Sequence, residues 1–488
     1  MRIQLNPSSV DDYRTFLKIK SLPKYSMVGR TAIVPDEYAS QFGGESASTY
    51  REYDPNPALF DYQRDIVQIA LDKKRYSVFA DCGLGKTLIM LDFARESNRR
   101  TGQRVLIVAP LMTVRQTSNE CNRFYGEPLQ ILRSNQLASW IADGDGVAIT
   151  NYESITDDID GDLGGLVLDE SSMLKSHYGA WGTRLLSLGR GVEYKMCLTG
   201  TPAPNDRIEY ANHAVFMDAF PTVNSFLATF FVNRGQTNNR WELKPHAIGS
   251  FYKSLSHWCI FLTNPATYGW TDGARDLPPI HIHQHDVPLT DEQRSVFMDL
   301  ENALFCSEAG GIGSRSRIAR IAKGIGPDGK PIPTNKTKYL VDLVNSWPDE
   351  STIIWCRYNA EQDTVAAAFP GCANITGTTP LDERERLIDA FKAGDIRVLI
   401  TKPKILGFGL NLQIATRQVF STLQDSYEEF YQAVKRSNRY GSTKPLNVHI
   451  PITELEAPMV TNVIEKSHRV EADALEQERV YNEHSWNK

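Results

Sequence analysis

No apolar stretch in this sequence is long enough to cross a membrane. The longest uninterrupted run, Val105 to Met112, has Pro110 inside it and falls well short of the roughly 20 residues a spanning helix needs. The N-terminus, Met1 through Ser8, carries no apolar core of a secretory signal. Cysteine is scarce. Seven residues, at 82, 121, 197, 259, 306, 356 and 372, make an odd number with no Cys-x-x-Cys pair. That argues against a disulfide framework or a zinc ribbon, and for a reducing cytoplasm. A basic excess is missing as well: 53 Lys+Arg stand against 59 Asp+Glu, a net charge of −6. Taken over the whole chain, this balance weighs against a nucleic-acid partner, since such proteins usually display a basic face. The deficit is concentrated, however. Thr453–Lys488 holds eight acids and four bases, which leaves the preceding body near −2. A local groove rather than net charge sets phosphate affinity, so a polyanionic partner stays open.

What is present is ordinary globular composition, 41% hydrophobic and 23% charged over 488 residues, enough for two to four domains at about 150 residues each. Short runs rich in Val, Ile and Leu recur at 77–80, 105–110, 146–152, 166–169 and 195–199, then again at 352–357, 397–402, 418–422 and 447–452. Amphipathic stretches such as Thr87–Ser97 and Asp382–Ala393 lie between them. Strand and helix alternating in this way read as α/β with buried parallel sheets, and the arrangement occurs twice. We expect an N-terminal extension (1–55), a first lobe (56–204), and a helical insertion with inter-lobe linker (205–280). A second lobe (281–455) with a helical insertion near 290–335 and an acidic C-terminal helix (456–488) follow. Residues 205–265 read as helical and rich in aromatics, the core of a protrusion rather than a base-stacking platform.

Chemistry concentrates at the strand ends. Ala80-Asp81-Cys82-Gly83-Leu84-Gly85-Lys86-Thr87 follows a strand and opens a helix, the setting of a phosphate-binding loop. Gly83 and Gly85 let backbone N–H groups close around phosphate oxygens, Lys86 reaches the β/γ-phosphates, and the Thr87 hydroxyl is suited to Mg²⁺. Leu166-Val167-Leu168-Asp169-Glu170 is an apolar strand ending in two acids. Asp169 would hold Mg²⁺ through water and Glu170 would polarise the attacking water. Together they read as an NTPase using ATP and Mg²⁺. Gln63, upstream in Leu59-Phe60-Asp61-Tyr62-Gln63, has an amide able to read an adenine edge, although taken by itself a helix-start glutamine is more often a surface residue.

With these residues in place, the chain resembles superfamily 2 helicases of the Swi/Snf type over about residues 57–455. Tyr62-Gln63 falls at the Q motif, Gly83–Thr87 at motif I and Asp169-Glu170-Ser171-Ser172 at motif II. Leu198-Thr199-Gly200-Thr201-Pro202 matches motif III, which couples the γ-phosphate state to DNA contacts. Gly407-Phe408-Gly409-Leu410-Asn411-Leu412 looks like motif V, and Gln432 through Arg439 matches motif VI, with Arg436 and Arg439 as its arginines. The stretches 166–182 and 426–432 look most like the compact DEAD/DEAH-box-type helicases of tailed phages and prophages. The chain lacks the Trp-Asn-Pro found before motif VI in the cellular remodellers and carries none of their chromatin modules. The resemblance implies two RecA-like lobes in tandem with helical insertions, closing on ATP and moving on double-stranded DNA. Phage replication or recombination proteins are candidate partners in a bacterial host cytoplasm, and the assembly is a monomer or an oligomer of open size.

Arg436 and Arg439, three apart on an expected helix, would share a face and act as arginine fingers across a cleft from Lys86. Candidate phosphate contacts are Thr113, Arg115, Lys402, Lys404, and the cluster Arg315, Arg317, Arg320 with Lys323. A solvated helix face accounts for the cluster equally well, and Lys336 and Lys338 share that ambiguity. His281, His283 and His285 alternate along one strand face. A zinc site is conceivable there, but a structural or surface role fits better. A strand-separating helicase and an ATP-switched DNA-binding protein stand as alternatives to the duplex translocase.

Overall fold

The computed structural model describes residues 1–44, 53–175, 179–235, 241–272, 277–305, 312–406, 411–423, 426–439 and 442–484. By chain packing it divides into a first unit, Met1–Ala274 with Val470–Lys488, and a second, Arg275–Arg469. The expected boundary near residue 204 is therefore not a boundary of these units, because the segment after it completes the first sheet.

The N-terminal residues, read from sequence only as an extension, fold on themselves. Strands β1 (Arg2–Gln4), β2 (Ser26–Val28) and β3 (Thr31–Ile33) pair antiparallel in the order β1-β3-β2. The helix Val10–Lys20 starts where Ser9 Oγ accepts from Asp12 N, an N-cap of the usual kind. A small core of Leu5, Ile19, Leu22, Ala32, Val34 and Tyr38 closes the module, and Tyr38 OH meets His257 Nδ1 at 2.9 Å in the body of the first unit.

That body is built on β4 (Arg75–Ala80), β5 (Val105–Ala109), β6 (Gln130–Ile131), β7 (Val147–Asn151), β8 (Gly165–Asp169) and β9 (Tyr194–Leu198). A hairpin of β10 (Phe231–Asn233) and β11 (Trp241–Leu243) and then β12 (Cys259–Leu262) follow. The parallel sheet runs β12-β4-β9-β8-β5-β7-β6 among the described residues. Helices on both faces leave the central strands wholly buried, which is why they read as near-continuous apolar runs. The reading of 205–265 as helical needs correction at its end. Cys259-Ile260-Phe261-Leu262 is the strand that flanks β4, because a four-residue apolar run has no periodicity to separate it from a buried helix turn. The aromatics of this region fill the first unit's core. Phe226, Phe230, Phe251, Trp258 and Phe261 are buried together, with Phe226–Phe230 and Phe230–Phe251 centroids 5.3 and 5.6 Å apart, near edge-to-face. Each such pair adds about 0.5–1.5 kcal/mol beyond area burial.

The second unit repeats the architecture. Its strands are β13 (Ile280–Asp286), β14 (Thr352–Trp355), β15 (Ala373–Asn374), β16 (Val398–Thr401), β17 (Arg417–Phe420) and β18 (Leu446–Ile452), ordered β13-β18-β17-β14-β16-β15 and parallel. The two sheets with their helices make the chain a tandem α/β protein of RecA-like type. The insertion expected near 290–335 contains the helices Asp291–Phe305 and Ile312–Ala322.

The C-terminal helix, Ala457–His484, is not a solvated acidic tail. From Val470 onward it belongs to the first unit. Asp473 accepts from Arg207 Nε at 3.0–3.1 Å and from Tyr252 OH at 2.7 Å. Glu478 accepts from Thr263 N at 2.8 Å and Thr263 Oγ1 at 2.6 Å, and Tyr481 meets Tyr268 edge-on at 5.5 Å. Composition counts these acids as surface charge, yet both carboxylates are buried. None of the helices among the described residues is long and apolar enough to cross a membrane.

Candidate active site

Three adjacent strands, β4, β9 and β8, end side by side in register: Val78 pairs with Leu198, and Leu198 with Asp169. Parallel strands bring their C-terminal ends to one edge of the sheet, the place where open α/β sheets hold ligands. The loop after β4, the Asp169–Glu170 pair after β8 and Thr199 after β9 therefore share one rim. Gly83 (φ 90°) and Gly85 (φ 65°) are left-handed, a conformation that glycine adopts without a Cβ penalty. Gly85 caps the helix Lys86–Thr101, so that helix points its N-terminal amides and positive dipole end at the loop. Lys86 Nζ donates to Ala80 O at 2.8 Å and Asp81 O at 3.3 Å. Among the described residues its partners are carbonyls rather than a carboxylate.

Asp169 ends its strand with its carbonyl accepting from Tyr152 OH at 2.6 Å. Burial first, then the adjacent Glu170 carboxylate, pushes its pKa up, with Lys86 opposing. The Asp169 carboxylate would offer hard oxygens to a divalent cation. Glu170 is left-handed (φ 48°), which is costly for a residue with a Cβ. Its Oε2 accepts from Thr199 Oγ1 at 3.2 Å, and the same oxygen Oγ1 accepts from Thr201 N at 3.1 Å. Motifs II and III thus meet through one hydroxyl. Gly200 lies between the two threonines.

Gln63 departs from its expected role as an adenine reader. It is buried, its Oε1 accepts from Phe60 N at 2.9 Å, and its Nε2 lies 3.3 Å from Leu84 O. A Cβ on Gly85 would sit 2.1 Å from that Nε2. As the third residue of its helix, Gln63 caps the helix start and braces the phosphate loop.

In the second unit the two arginines do not share a helix face. The helix Tyr427–Val434 ends before them, and Lys435–Arg439 forms turns. Arg436 is buried, with Nε donating to Gln432 O at 3.0 Å. Leu412 N donates to Arg436 O at 2.9 Å and Gln413 Nε2 to Arg439 O at 3.2 Å, so the segments of motifs V and VI are bonded directly. Asn411 exchanges hydrogen bonds with Gln413 at 3.0 and 3.2 Å. Gly409 lies outside the described residues.

The phosphate-contact candidates separate. Arg115, Lys404 and Arg317 are exposed and Arg320 is half-buried, and the side chain of Arg315 lies outside the described set. Thr113 is buried with its hydroxyl donating to Pro110 O at 2.9 Å. It closes a helix start instead of presenting a hydroxyl. Lys402 bonds Asn359 Oδ1, and Lys404 lies 3.8 Å from Glu429. Lys323 and Lys336 leave the basic surface altogether. Both are buried on Glu456, Lys336 at 2.8 Å, and both donate to Ser421 O, at 2.8 and 2.9 Å. The alternating histidines of β13 meet β18: His283 stacks on His449 at 4.7 Å, and His285 Nε2 lies 2.9 Å from His449 Nδ1. None of the described residues forms a metal-binding group of His, Cys, Asp and Glu.

Sequence reasoning missed two supports of the site, Tyr152 under Asp169 and His213 beside Ser171. Neither lies in a motif, and only the fold brings them there.

Comparison with known proteins agrees with this organisation. The SNF2-related domain matches residues 62–326, and the helicase conserved C-terminal domain matches residues 335–441. Protein p41 of Acyrthosiphon pisum secondary endosymbiont phage 1 is 25% identical over 442 residues, 82% of this chain and 93% of that protein. The ATP-dependent helicase fft1 of Schizosaccharomyces pombe is 29% identical over 133 residues, 26% of this chain and 14% of that protein. The Sulfolobus solfataricus SWI2/SNF2 ATPase core in complex with dsDNA superposes with a TM-score of 0.41 at 17% identity, covering 88% of this chain and 96% of that one. Since the SNF2-related domain alone spans more than half of the sequence, the chain belongs to the SNF2-related family of helicase-type ATPases and is an ATP hydrolase.

Proposed function

We propose that the chain is an ATP-driven motor that tracks along double-stranded DNA, in phage DNA replication, recombination or repair. The observation that carries the motor reading is the Thr199–Glu170 hydrogen bond of 3.2 Å. It ties the residue that would polarise water to the segment that leads into the insertion, so a change at the phosphate has a mechanical outlet. Lys86 and the Gly83–Thr87 amides hold the β/γ-phosphates. Thr87 and Asp169 would hold Mg²⁺, which would supply charge neutralisation at the phosphates. Glu170 orients and deprotonates water, and Arg436 and Arg439 answer the charge that develops at the γ-phosphate.

Duplex tracking rests on the Swi/Snf-type motifs, and the phage setting on the likeness to p41 along nearly its whole length. A tracker needs backbone contacts and no base readout, which Arg115, Arg317, Arg320, Lys402 and Lys404 supply in this reading. The near-neutral body implies salt-sensitive, readily released binding. ATPase activity measured with duplex, single-stranded and forked DNA and with RNA tests the reading, alongside triplex displacement and strand-unwinding assays. Duplex stimulation with triplex displacement is expected. Stimulation by single strands or RNA alone would overturn the duplex assignment.

A further inference from the structure

Glu170 sits in a left-handed conformation at the exit of β8. Strain of this kind persists only where the surroundings over-determine it. On the N-terminal side Tyr152 OH holds Asp169 O at 2.6 Å. On the C-terminal side the next residue, Ser171, is fully buried, and its Oγ lies 3.1 Å from His213 Nε2. His213 comes from the helix Tyr210–Phe216, which follows motif III in the chain. Its neighbour Asn212 donates through Nδ2 to Leu174 O at 2.6 Å, so one helix turn grips the 171–174 segment at both ends. The ring of Phe79, one residue before the phosphate loop, stands edge-on to His213 at 5.3 Å.

The ring's chemistry is set by its partners. Nδ1 faces Glu209 O at 3.4 Å, and a carbonyl only accepts. The Ser171 side offers the hydroxyl at Nε2 and a backbone contact as well, so the ring is hydrogen-bonded from both sides and the tautomer sets which nitrogen donates. Burial holds the ring neutral, its pKa lowered to about 4, so this pair of contacts persists throughout the assay range.

We infer that His213 is a positioning residue for the Asp169–Glu170 pair, acting through Ser171 to hold the left-handed turn that aims the Glu170 carboxylate. This rests on the proposed role of Glu170 in ATP hydrolysis.

The test is steady-state ATPase kinetics on full-length variants whose folding is checked by circular dichroism. His213→Leu fills the site without an acceptor, and Ser171→Ala removes one oxygen atom. Each is expected to lower kcat between about 10- and 100-fold, the scale of a misplacement near 1 Å, with KM for ATP unchanged. His213→Gln, whose amide can accept from Ser171 and donate to Glu209 O, is expected to restore most of the turnover. The double variant is expected to be no worse than the poorer single one. Ser171 Oγ also meets the Cys197 thiol, so the His213 variants isolate the imidazole, and Ser171→Ala carries the test alone should His213→Leu misfold. Unchanged kcat in Ser171→Ala, additive losses in the double variant, or a rise in KM without loss of kcat would overturn the inference. A wild-type protein without ATPase activity would instead sink the reading on which it rests.

Discussion

The two units put lysines near the same edge of the same kind of sheet and use them in opposite ways. After β4, Lys86 rests on two backbone carbonyls at a helix N-terminus, so its charge is available to an incoming anion. After β17, Lys323 and Lys336 are buried on Glu456 and bonded to Ser421 O. Glu361, packed beside them, accepts from Ser421 Oγ and Thr422 Oγ1, each at 2.5 Å. Burial pulls both lysines' pKa down, and Glu361 opposes it. Lys86 is left open to an anion, while the other two lysines are consumed in joining the starts of the helices Asn335–Asn345 and Asn359–Ala367 and of the C-terminal helix to the end of β17. A count of basic residues cannot tell these uses apart, because the difference lies in whether acids are built against them.

Replacements on either side of this contrast should separate activity from stability. Arg436→Ala is expected to cut turnover by about 10³-fold or more, and Glu170→Gln to abolish turnover while still binding ATP, as single-turnover hydrolysis and nucleotide binding would show. Substantial multiple turnover by Glu170→Gln would remove that residue from the chemistry. Lys86→Ala should lose about 10²–10³-fold in kcat with little change in the unfolding midpoint, since no ion pair is broken. Glu456→Ala should do the reverse. Taking a carboxylate out of this buried network costs about 3–5 kcal/mol, measurable by denaturant unfolding, and an unfolding curve matching wild type would refute the network.

A smaller loss is expected for Asp473→Ala, about 1–3 kcal/mol, because Arg207 and Tyr252 lose their shared acceptor. Increased proteolysis of the C-terminal helix would report it. The smallest effect is a pH slope. Burial, then repulsion from His283, His285 and Arg417, lowers His449 from 6.5 to about 3. The unfolded chain thus binds this proton first, and the stabilisation is lost as pH falls below about 6.5. The second unit should weaken by about 1 kcal/mol per pH unit towards pH 5. His449→Phe should flatten that slope, and an identical slope in the variant would exclude the residue.

Legibility followed the reach of the determinant. The central strands of both sheets were readable because burial on both faces forces continuous apolar runs. The phosphate loop and the Asp169–Glu170 pair were readable because their spacing is fixed within one strand-turn unit. Thr113 read as a phosphate contact because its type and position were visible but the partner of its hydroxyl, Pro110 O, was not. The flanking strand β12 and the N-terminal sheet were too short to carry a period.

Sequence by itself determined the α/β class, the two-fold repetition of the architecture and the family, all of them local patterns. Only the tertiary structure decided what each charge faces. It buries Asp473 and Glu478 of the acidic C-terminal segment, withdraws Lys323 and Lys336 from the surface, turns Gln63 onto the phosphate loop, and brings His213 to Ser171 across 42 residues of chain. The physical reason is common to all four: the energy of a polar group depends on its solvent and its partner, and both are set by packing between segments remote in sequence.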